Sequence, residues 1–108
     1  MSDGLMQEAQ ALFRAAGMAA GGAESHMFGK PCFKVAGKAF VCLFGNEMVF
    51  KLPAAARTLA MTQEGARLFD PSGKGRPMKE WVQLPYAYKD QWSALAVQSA
   101  NYVGAVGR

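Results

Sequence analysis

Four short apolar runs between residues 24 and 52, separated by pairs of turn-forming residues, constrain the fold of this chain more than any other feature. The turn signals are Gly29-Lys30, Ala36-Gly37 and Gly45-Asn46. Loops this short join strands in antiparallel fashion, because a parallel crossover needs about a dozen residues or more. The sequence therefore predicts a four-stranded antiparallel meander over 25–28, 31–35, 38–44 and 47–52.

The third and fourth strands differ in how many of their faces are apolar. The third strand alternates Ala39, Val41 and Leu43 with Phe40, Cys42 and Phe44. Both of its faces are apolar, so we expect it to lie inside the sheet and to be covered on both sides. The fourth strand alternates an apolar face with one that carries Glu47, Val49 and Lys51. We expect that second face to meet solvent or a partner.

Helical periodicity flanks this segment on both sides. Apolar residues recur at spacings of three and four over 5–16, which predicts a first helix that ends before Gly17. Pro53 stands at a helix-opening position, and the second helix is predicted to end before Gly65. The third helix carries a stripe of Trp92, Leu95, Ala96, Ser99, Tyr102, Val103 and Val106, with Asp90 in its first turn.

Two more strands are predicted between the second and third helices. A brief strand over 67–69 leads into an irregular loop over 70–77, and a longer strand over 78–84 ends at Pro85. The resulting order, α-β-β-β-β-α-β-β-α, predicts an α+β fold: a two-layer sandwich of about six antiparallel strands and three helices. We expect one domain over residues 1–108, because a chain of this length supports a single core.

Composition and charge exclude several protein classes. Hydrophobic residues make up 51% of the chain and charged residues 19%, which argues against disorder. No apolar run approaches the roughly 18 residues of a membrane span, and the first residues contain an acid but no basic segment. We therefore expect no membrane association, no signal peptide and a cytoplasmic location. The net charge of +4 is compatible with weak binding to nucleic acid.

Two cysteines and one histidine are too few for a four-ligand zinc site, so neither a metal nor a cofactor is expected. In a two-residue loop Cys32 faces Val41, and in a three-residue loop with a left-handed Gly37 it faces Phe40. Neither register places Cys32 opposite Cys42, and a diagonal separation of about 7–8 Å is outside disulfide range. The sequence predicts two free thiols.

The segment 72–77 is the one local cluster with chemical potential. Its glycines would let backbone amides approach a phosphate, and Lys74, Arg76 and Lys79 would add positive charge. A nucleotide-binding P-loop is excluded, because Pro77 and a strand follow where that motif needs a helix. Two interpretations stay open: a contact for an anion or nucleic acid, and an ordinary exposed basic loop.

The remaining candidates favour structural roles. His26 has no serine, cysteine or carboxylate nearby at a spacing that suggests a dyad, so we interpret it as a partly buried strand histidine. Trp81 and Trp92 would stack on bases if exposed, but packing is the expected role for both. No combination of nucleophile, base and orienting group is visible, so the protein is expected to be non-enzymatic.

Three segments resemble the N-terminal domain of the TfoX/Sxy regulators of bacterial competence. They are MFGKPCFKVAGKAF at 27–40, EMVFKL at 47–52 and PMKEWVQLP at 77–85, and the likeness spans about residues 5 to 104. The resemblance implies a two-layer α/β domain of the kind shared with MmcQ/YjbR-like proteins. It brings no catalytic residues.

The resemblance also implies a regulatory module, since full-length members look like transcriptional co-activators. The leading hypothesis is therefore a module that binds a protein of the transcription machinery. A nucleic-acid binder that uses the basic loop is the alternative, and an enzyme is the weakest of the three. A homodimer through an uncovered sheet face is also expected, because three short helices would leave part of six strands exposed.

Overall fold

In residues 2–75 and 77–106, which the computed structural model describes, the chain forms six strands and three α-helices. The strands are β1 (Ala23–Met27), β2 (Lys30–Val35), β3 (Lys38–Phe44), β4 (Glu47–Lys51), β5 (Arg67–Phe69) and β6 (Met78–Leu84). The helices are α1 (Ser2–Ala19), α2 (Ala54–Met61) and α3 (Trp92–Val106), and a 3-10 helix (Tyr86–Gln91) precedes α3. All strands pair antiparallel in the order β1-β2-β3-β4-β6-β5. The predicted α+β class and element order are confirmed.

Helix α1 passes through Gly17, the residue before which the sequence predicted its end. A Cβ atom at Gly17 would lie 2.3 Å from Cδ1 of Phe33, so glycine is required for the helix to approach the sheet this closely. The helix ends instead at Ala19, and Gly21 two residues later has a φ of 84°. The Gly22 amide donates to the Gly17 carbonyl at 2.9 Å and the Gly21 amide to the Met18 carbonyl at 3.0 Å. This is a Schellman motif, the usual glycine-terminated helix end.

The meander turns are as short as predicted, but the first is displaced by one residue. It consists of Phe28 and Gly29, and β2 starts at Lys30. The sequence did not predict that β6 would insert between β4 and β5. Met48 of β4 pairs with Leu84 of β6, so β5 becomes an edge strand.

Strand β3 contains a β-bulge that corrects the predicted alternation of its side chains. Phe33 pairs with Val41 while Lys34 pairs with Ala39, so Phe40 is an extra residue between them. Phe40 and Val41 consequently both pack toward the helices, and Ala39 lies on the opposite face. A bulge re-aims side chains in this way and increases the local twist. Strict alternation was wrong, whereas the prediction that both faces of β3 are covered is confirmed.

Two apolar clusters lie on opposite sides of the sheet. The larger cluster lies between the sheet and the helices, and includes Phe13 of α1, Ala60 of α2 and Trp92 of α3. The smaller cluster has no helical member, and its buried residues are Cys32, Cys42, Val49, Phe69 and Trp81. We call the side of the sheet defined by these five residues the helix-free face. All three helices thus form one layer, against the other side of the sheet.

Among the residues that the structure describes, no helix combines the length and the apolar character needed to cross a bilayer.

Candidate binding surfaces

The helix-free face is curled, so that its apolar centre is enclosed by the sheet itself. The rings of Phe44 on β3 and Phe69 on β5 have centroids 5.5 Å apart, although β4 and β6 lie between their strands. The register shifts in the β2–β3 and β5–β6 pairs are bulge sites, which increase twist and bending. As a result Val49 is fully buried, and the predicted exposure of the second face of β4 was wrong at this position.

Polar side chains border the enclosed cluster. The Glu47 carboxylate Oε1 accepts from Arg67 at 2.8 Å and from Gln83 at 2.7 Å, which ties β4, β5 and β6 together. The ammonium group of Lys30 lies 4.8 Å from the ring centroid of Phe44, a cation–π contact. The homodimer was expected because part of the sheet would be left uncovered. Since the apolar centre of the helix-free face is already buried within one chain, this feature does not support a homodimer. Self-association stays a prediction that sedimentation can test.

Both tryptophans pack inside the protein. Trp81 is 6% exposed on the helix-free face, and Trp92 is 1% exposed beneath the helices, where its ring meets Tyr86 edge to face. The interpretation of both as packing residues is confirmed, and neither presents a ring for base stacking.

The basic loop is organised around the carboxylate of Asp70. Its Oδ1 accepts from the Ser72 amide at 3.1 Å, the Ser72 hydroxyl at 2.7 Å and the Gly73 amide at 3.0 Å. Its Oδ2 accepts from the Gly75 amide at 2.9 Å. The amides that the sequence offered to a phosphate are therefore bonded to an anion of the chain itself. The described part of the loop keeps the charge of Lys74, but its Ser72, Gly73 and Gly75 amides already have an acceptor.

The three candidate anion contacts differ in what the structure shows of them. Lys74 is exposed within the loop, and Lys79 is exposed on β6. Arg76 lies outside the described residues. Neither Lys74 nor Lys79 has an acidic partner among the residues that the structure describes, so both ammonium groups are available to a ligand.

Unpaired positive charge extends beyond this loop. Among the residues that the structure describes, ion pairs join Arg14 to Glu24, Lys51 to Glu80, Arg67 to Glu47 and Lys89 to Glu8. In the described part of the chain, Lys30, Lys34, Lys38, Lys74 and Lys79 have no such partner. Lys30 and Lys34 lie two residues before and two residues after Cys32 on β2, so all three side chains are on the same side of the sheet. The β1–β2 hairpin therefore carries net positive charge.

The tip of the β1–β2 hairpin presents an aromatic side chain to solvent. Phe28 is 59% exposed and has a φ of 53°, and the following Gly29 has a φ of 73°. Two successive positive φ angles define a type I′ turn, which strongly favours Asn or Gly over a bulky residue at its first position. The sequence pattern predicted Phe28 within a strand, whereas it lies in the turn. An aromatic residue directly before the Gly-Lys turn signal was the clue.

A small cleft of about 100 Å³ lies between α3 and the sheet, lined by Lys38, Lys51, Glu80, Tyr102 and Val103. The Tyr102 hydroxyl donates to Oε2 of Glu80 at 2.9 Å, and this hydrogen bond raises the pKa of Tyr102. Lys51 lies 3.7 Å from the other carboxylate oxygen of Glu80. The carboxylate is thus engaged on both sides, and it links α3 to β4 and β6.

The two cysteines face each other across β2 and β3, contrary to both predicted registers. The turn has two residues, as one alternative required, but the bulge at Phe40 shifts the partner of Cys32 from Val41 to Cys42. Both thiols are buried and unpaired. Burial raises the pKa of Cys32, and it raises that of Cys42 to about 12 with a further contribution from the neighbouring Cys32.

His26 lies on the edge strand β1 opposite Pro31, and it is exposed rather than partly buried as predicted. Within residues 2–75 and 77–106, no three His, Cys, Asp or Glu side chains are grouped closely enough to hold a metal ion.

Comparison with known proteins adds no relative: no protein-family model matches the chain, and no curated protein matches its sequence. Membership of the TfoX/Sxy N-terminal domain family therefore stays a prediction.

Proposed function

We propose that this domain is a non-enzymatic binding module that docks a partner protein on the tip of its β1–β2 hairpin. The observation that carries the proposal is the position of Phe28, a large apolar side chain 59% exposed in a left-handed turn conformation. Left-handed backbone costs of the order of 1–3 kcal/mol at a residue other than glycine. Within the chain this side chain gains little burial in return.

An exposed aromatic on a two-residue turn is well suited to protein recognition. Aromatic side chains are among the residues that contribute most to protein–protein affinity when a partner buries them. A two-residue turn between two paired strands constrains the backbone of Phe28, which lowers the entropy lost on binding. Lys30 and Lys34 on the same hairpin have no acidic partner, so the surface that complements them is acidic.

The resemblance to the first domain of the TfoX/Sxy regulators supports a role in regulating transcription, in the cytoplasm, and supports a protein of the transcription machinery as the partner. The MFGK segment that carries part of this resemblance is the tip of the hairpin.

The proposal is tested by measuring the affinity of the purified domain for a panel of bacterial transcription proteins. Phe28→Asn should abolish binding, because it removes the aromatic ring while retaining a residue that the turn favours. The matched control is Leu59→Asn on α2, which changes a side chain 72% exposed elsewhere on the surface. No binding to any member of the panel, or equal loss in both variants, would contradict docking through the hairpin.

Nucleic-acid binding through Lys74, Arg76 and Lys79 is the second candidate. The unpaired ammonium groups of Lys74 and Lys79 favour it, because they can neutralise phosphates. Mobility-shift titrations with single- and double-stranded DNA should then weaken with salt and with alanine at each of the three positions. Lys89→Ala, which breaks an ion pair to Glu8, is the control. A salt-independent shift, or no shift, would exclude this function.

A further inference from the structure

Cys32 and Cys42 form a non-hydrogen-bonded pair of the β2–β3 ladder, the type of antiparallel pair whose side chains lie closest together. Antiparallel partners alternate between hydrogen-bonded pairs and non-hydrogen-bonded pairs, and the latter have Cα atoms only about 4.5 Å apart. Val35 and Lys38 flank a two-residue turn and so form a hydrogen-bonded pair. The next pair, Lys34 with Ala39, is then non-hydrogen-bonded, and Phe33 with the bulged strand is hydrogen-bonded. The following pair, Cys32 with Cys42, is therefore non-hydrogen-bonded.

The other side of β3 gives the same assignment independently. Phe44 and Glu47 flank the next two-residue turn and form a hydrogen-bonded pair. Two steps further, Cys42 and Val49 form another, so the backbone N–H and C=O of Cys42 point toward β4 and away from Cys32. The ladder between β2 and β3 ends at Cys32, next to Pro31, which has no N–H to donate.

We propose that Cys32 and Cys42 form a redox-active dithiol that closes to an intramolecular disulfide across β2 and β3. A Cα separation of about 4.5 Å lies within the range that disulfides span, about 4.4–6.8 Å, so closure needs little backbone movement. The predicted diagonal register excluded such a bond, and the bulge at Phe40 is what makes it accessible.

The oxidant is a low-molecular-weight disulfide, and the reaction is thiol–disulfide exchange. The thiolate of one cysteine attacks the external disulfide, forms a mixed disulfide and releases one external thiol. The second cysteine then attacks the mixed disulfide, forms the Cys32–Cys42 bond and releases the second external thiol. In total the two protein thiols lose two electrons and two protons, and one external disulfide is reduced to two thiols.

Cys32 is the thiol that attacks first. Burial raises the pKa of Cys32, while the positive charge of Lys34 and the side chain of Ser25 oppose that rise. Cys42 lies one strand further into the sheet and has its pKa raised to about 12, so it forms a thiolate less readily. Because both thiols are buried, the exchange is slow and requires a local opening near edge strand β1.

The first experiment uses the wild-type domain, incubated under native conditions with oxidised glutathione. We expect the titratable thiols to fall from two to zero, the intact mass to decrease by two hydrogen atoms, and peptide mapping to recover Cys32 linked to Cys42. Dithiothreitol should restore both thiols. Persistence of both thiols, or a product linked between two chains, would overturn the proposal.

Single-cysteine variants test the order of attack. In Cys42→Ser the exchange should stop at a glutathione adduct on Cys32, whereas Cys32→Ser should react many-fold more slowly. Circular dichroism of each variant verifies folding, and if either fails to fold, the wild-type reaction is quenched early by alkylation and mapped for the adduct. An adduct found first on Cys42 would overturn the assigned order.

Discussion

The rings of Phe44 and Phe69 meet edge to face with their centroids 5.5 Å apart, although two strands separate β3 from β5. This contact closes the curl of the sheet and encloses Cys32, Cys42, Val49 and Trp81 without help from any helix. The helix-free face is therefore a second small core. Its rim, the hairpin tip and the basic loop stay open to a partner.

Truncation of Phe69 measures what closing the curl contributes. Phe69 is fully buried, so Phe69→Ala should lower the free energy of unfolding by about 3–5 kcal/mol. Urea denaturation is the measurement, and Phe28→Ala at the exposed hairpin tip is the control, with an expected change below about 0.5 kcal/mol. Equal effects at the two sites would show that the helix-free face is not a packed core.

Substitution of Gly17 tests the close approach of α1 to the sheet. A Cβ at this position would meet three ring atoms of Phe33 at 2.3–2.6 Å, so Gly17→Ala should destabilise the protein by about 1–3 kcal/mol. Gly104→Ala in α3 is the control, because no atom lies within 4 Å of its added Cβ. There we expect a gain of roughly 0.5–1 kcal/mol from helix propensity. In thermal unfolding, the melting temperature should fall for Gly17→Ala and rise for Gly104→Ala.

Removal of the Asp70 carboxylate should loosen the basic loop. Asp70→Ala leaves the amides of Ser72, Gly73 and Gly75 without their side-chain acceptor, and we expect the free energy of unfolding to fall by about 1–2 kcal/mol. Hydrogen exchange at these three amides should accelerate, whereas Asp90→Ala, at an exposed acid, should leave them unchanged. Unchanged exchange in Asp70→Ala would mean that water satisfies these amides equally well.

The buried thiols predict a loss of stability in alkaline solution. Cys42 stays protonated in the folded state up to about pH 12, while in the unfolded state it ionises near its ordinary value of 9.0. Unfolding therefore releases a proton above pH 9, and stability should fall by up to ~1.4 kcal/mol per pH unit for this thiol. Urea titrations at about pH 8 and about pH 10 should show the decline, and Cys42→Val should reduce it. An equal decline in the variant would assign the effect to other groups.

Replacement of Phe28 by asparagine should stabilise the isolated domain. Asparagine adopts positive φ more readily than phenylalanine and is favoured before glycine in a type I′ turn, so a gain of roughly 0.5–1 kcal/mol is expected. Differential scanning calorimetry of Phe28→Asn against wild type provides the measurement. A destabilised variant would indicate that the ring packs within the chain after all.

Local chemistry predicted most elements of the fold, because turn residues and side-chain periodicity act over a few positions. The bounds of β3, β5 and β6 follow directly from such signals. The insertion of β6 between β4 and β5 did not, since strand order depends on contacts distant in the sequence. The bulge at Phe40 was missed for a related reason. It lets two adjacent bulky residues pack against the helices, and the alternation pattern of a single strand carries no information about those helices.

The candidate sites show the same division. The composition of the basic loop identified Lys74 and Lys79, but only the folded loop shows that Asp70 occupies its amides. The cysteine pair depended on one extra residue in β3, which reversed the conclusion drawn from turn length. A one-residue change in register is sufficient to move a side chain to a different partner.

The curled sheet also has a consequence for how the molecule comes apart. Strands β3, β4 and β6 contribute alternate side chains to both apolar clusters, so they form a wall common to two compartments. Complete exposure of either compartment displaces strands that line the other, although edge strand β1 can open locally. Melting should therefore proceed as a single all-or-none event, with no partly folded form that keeps the helices packed after the far side has opened.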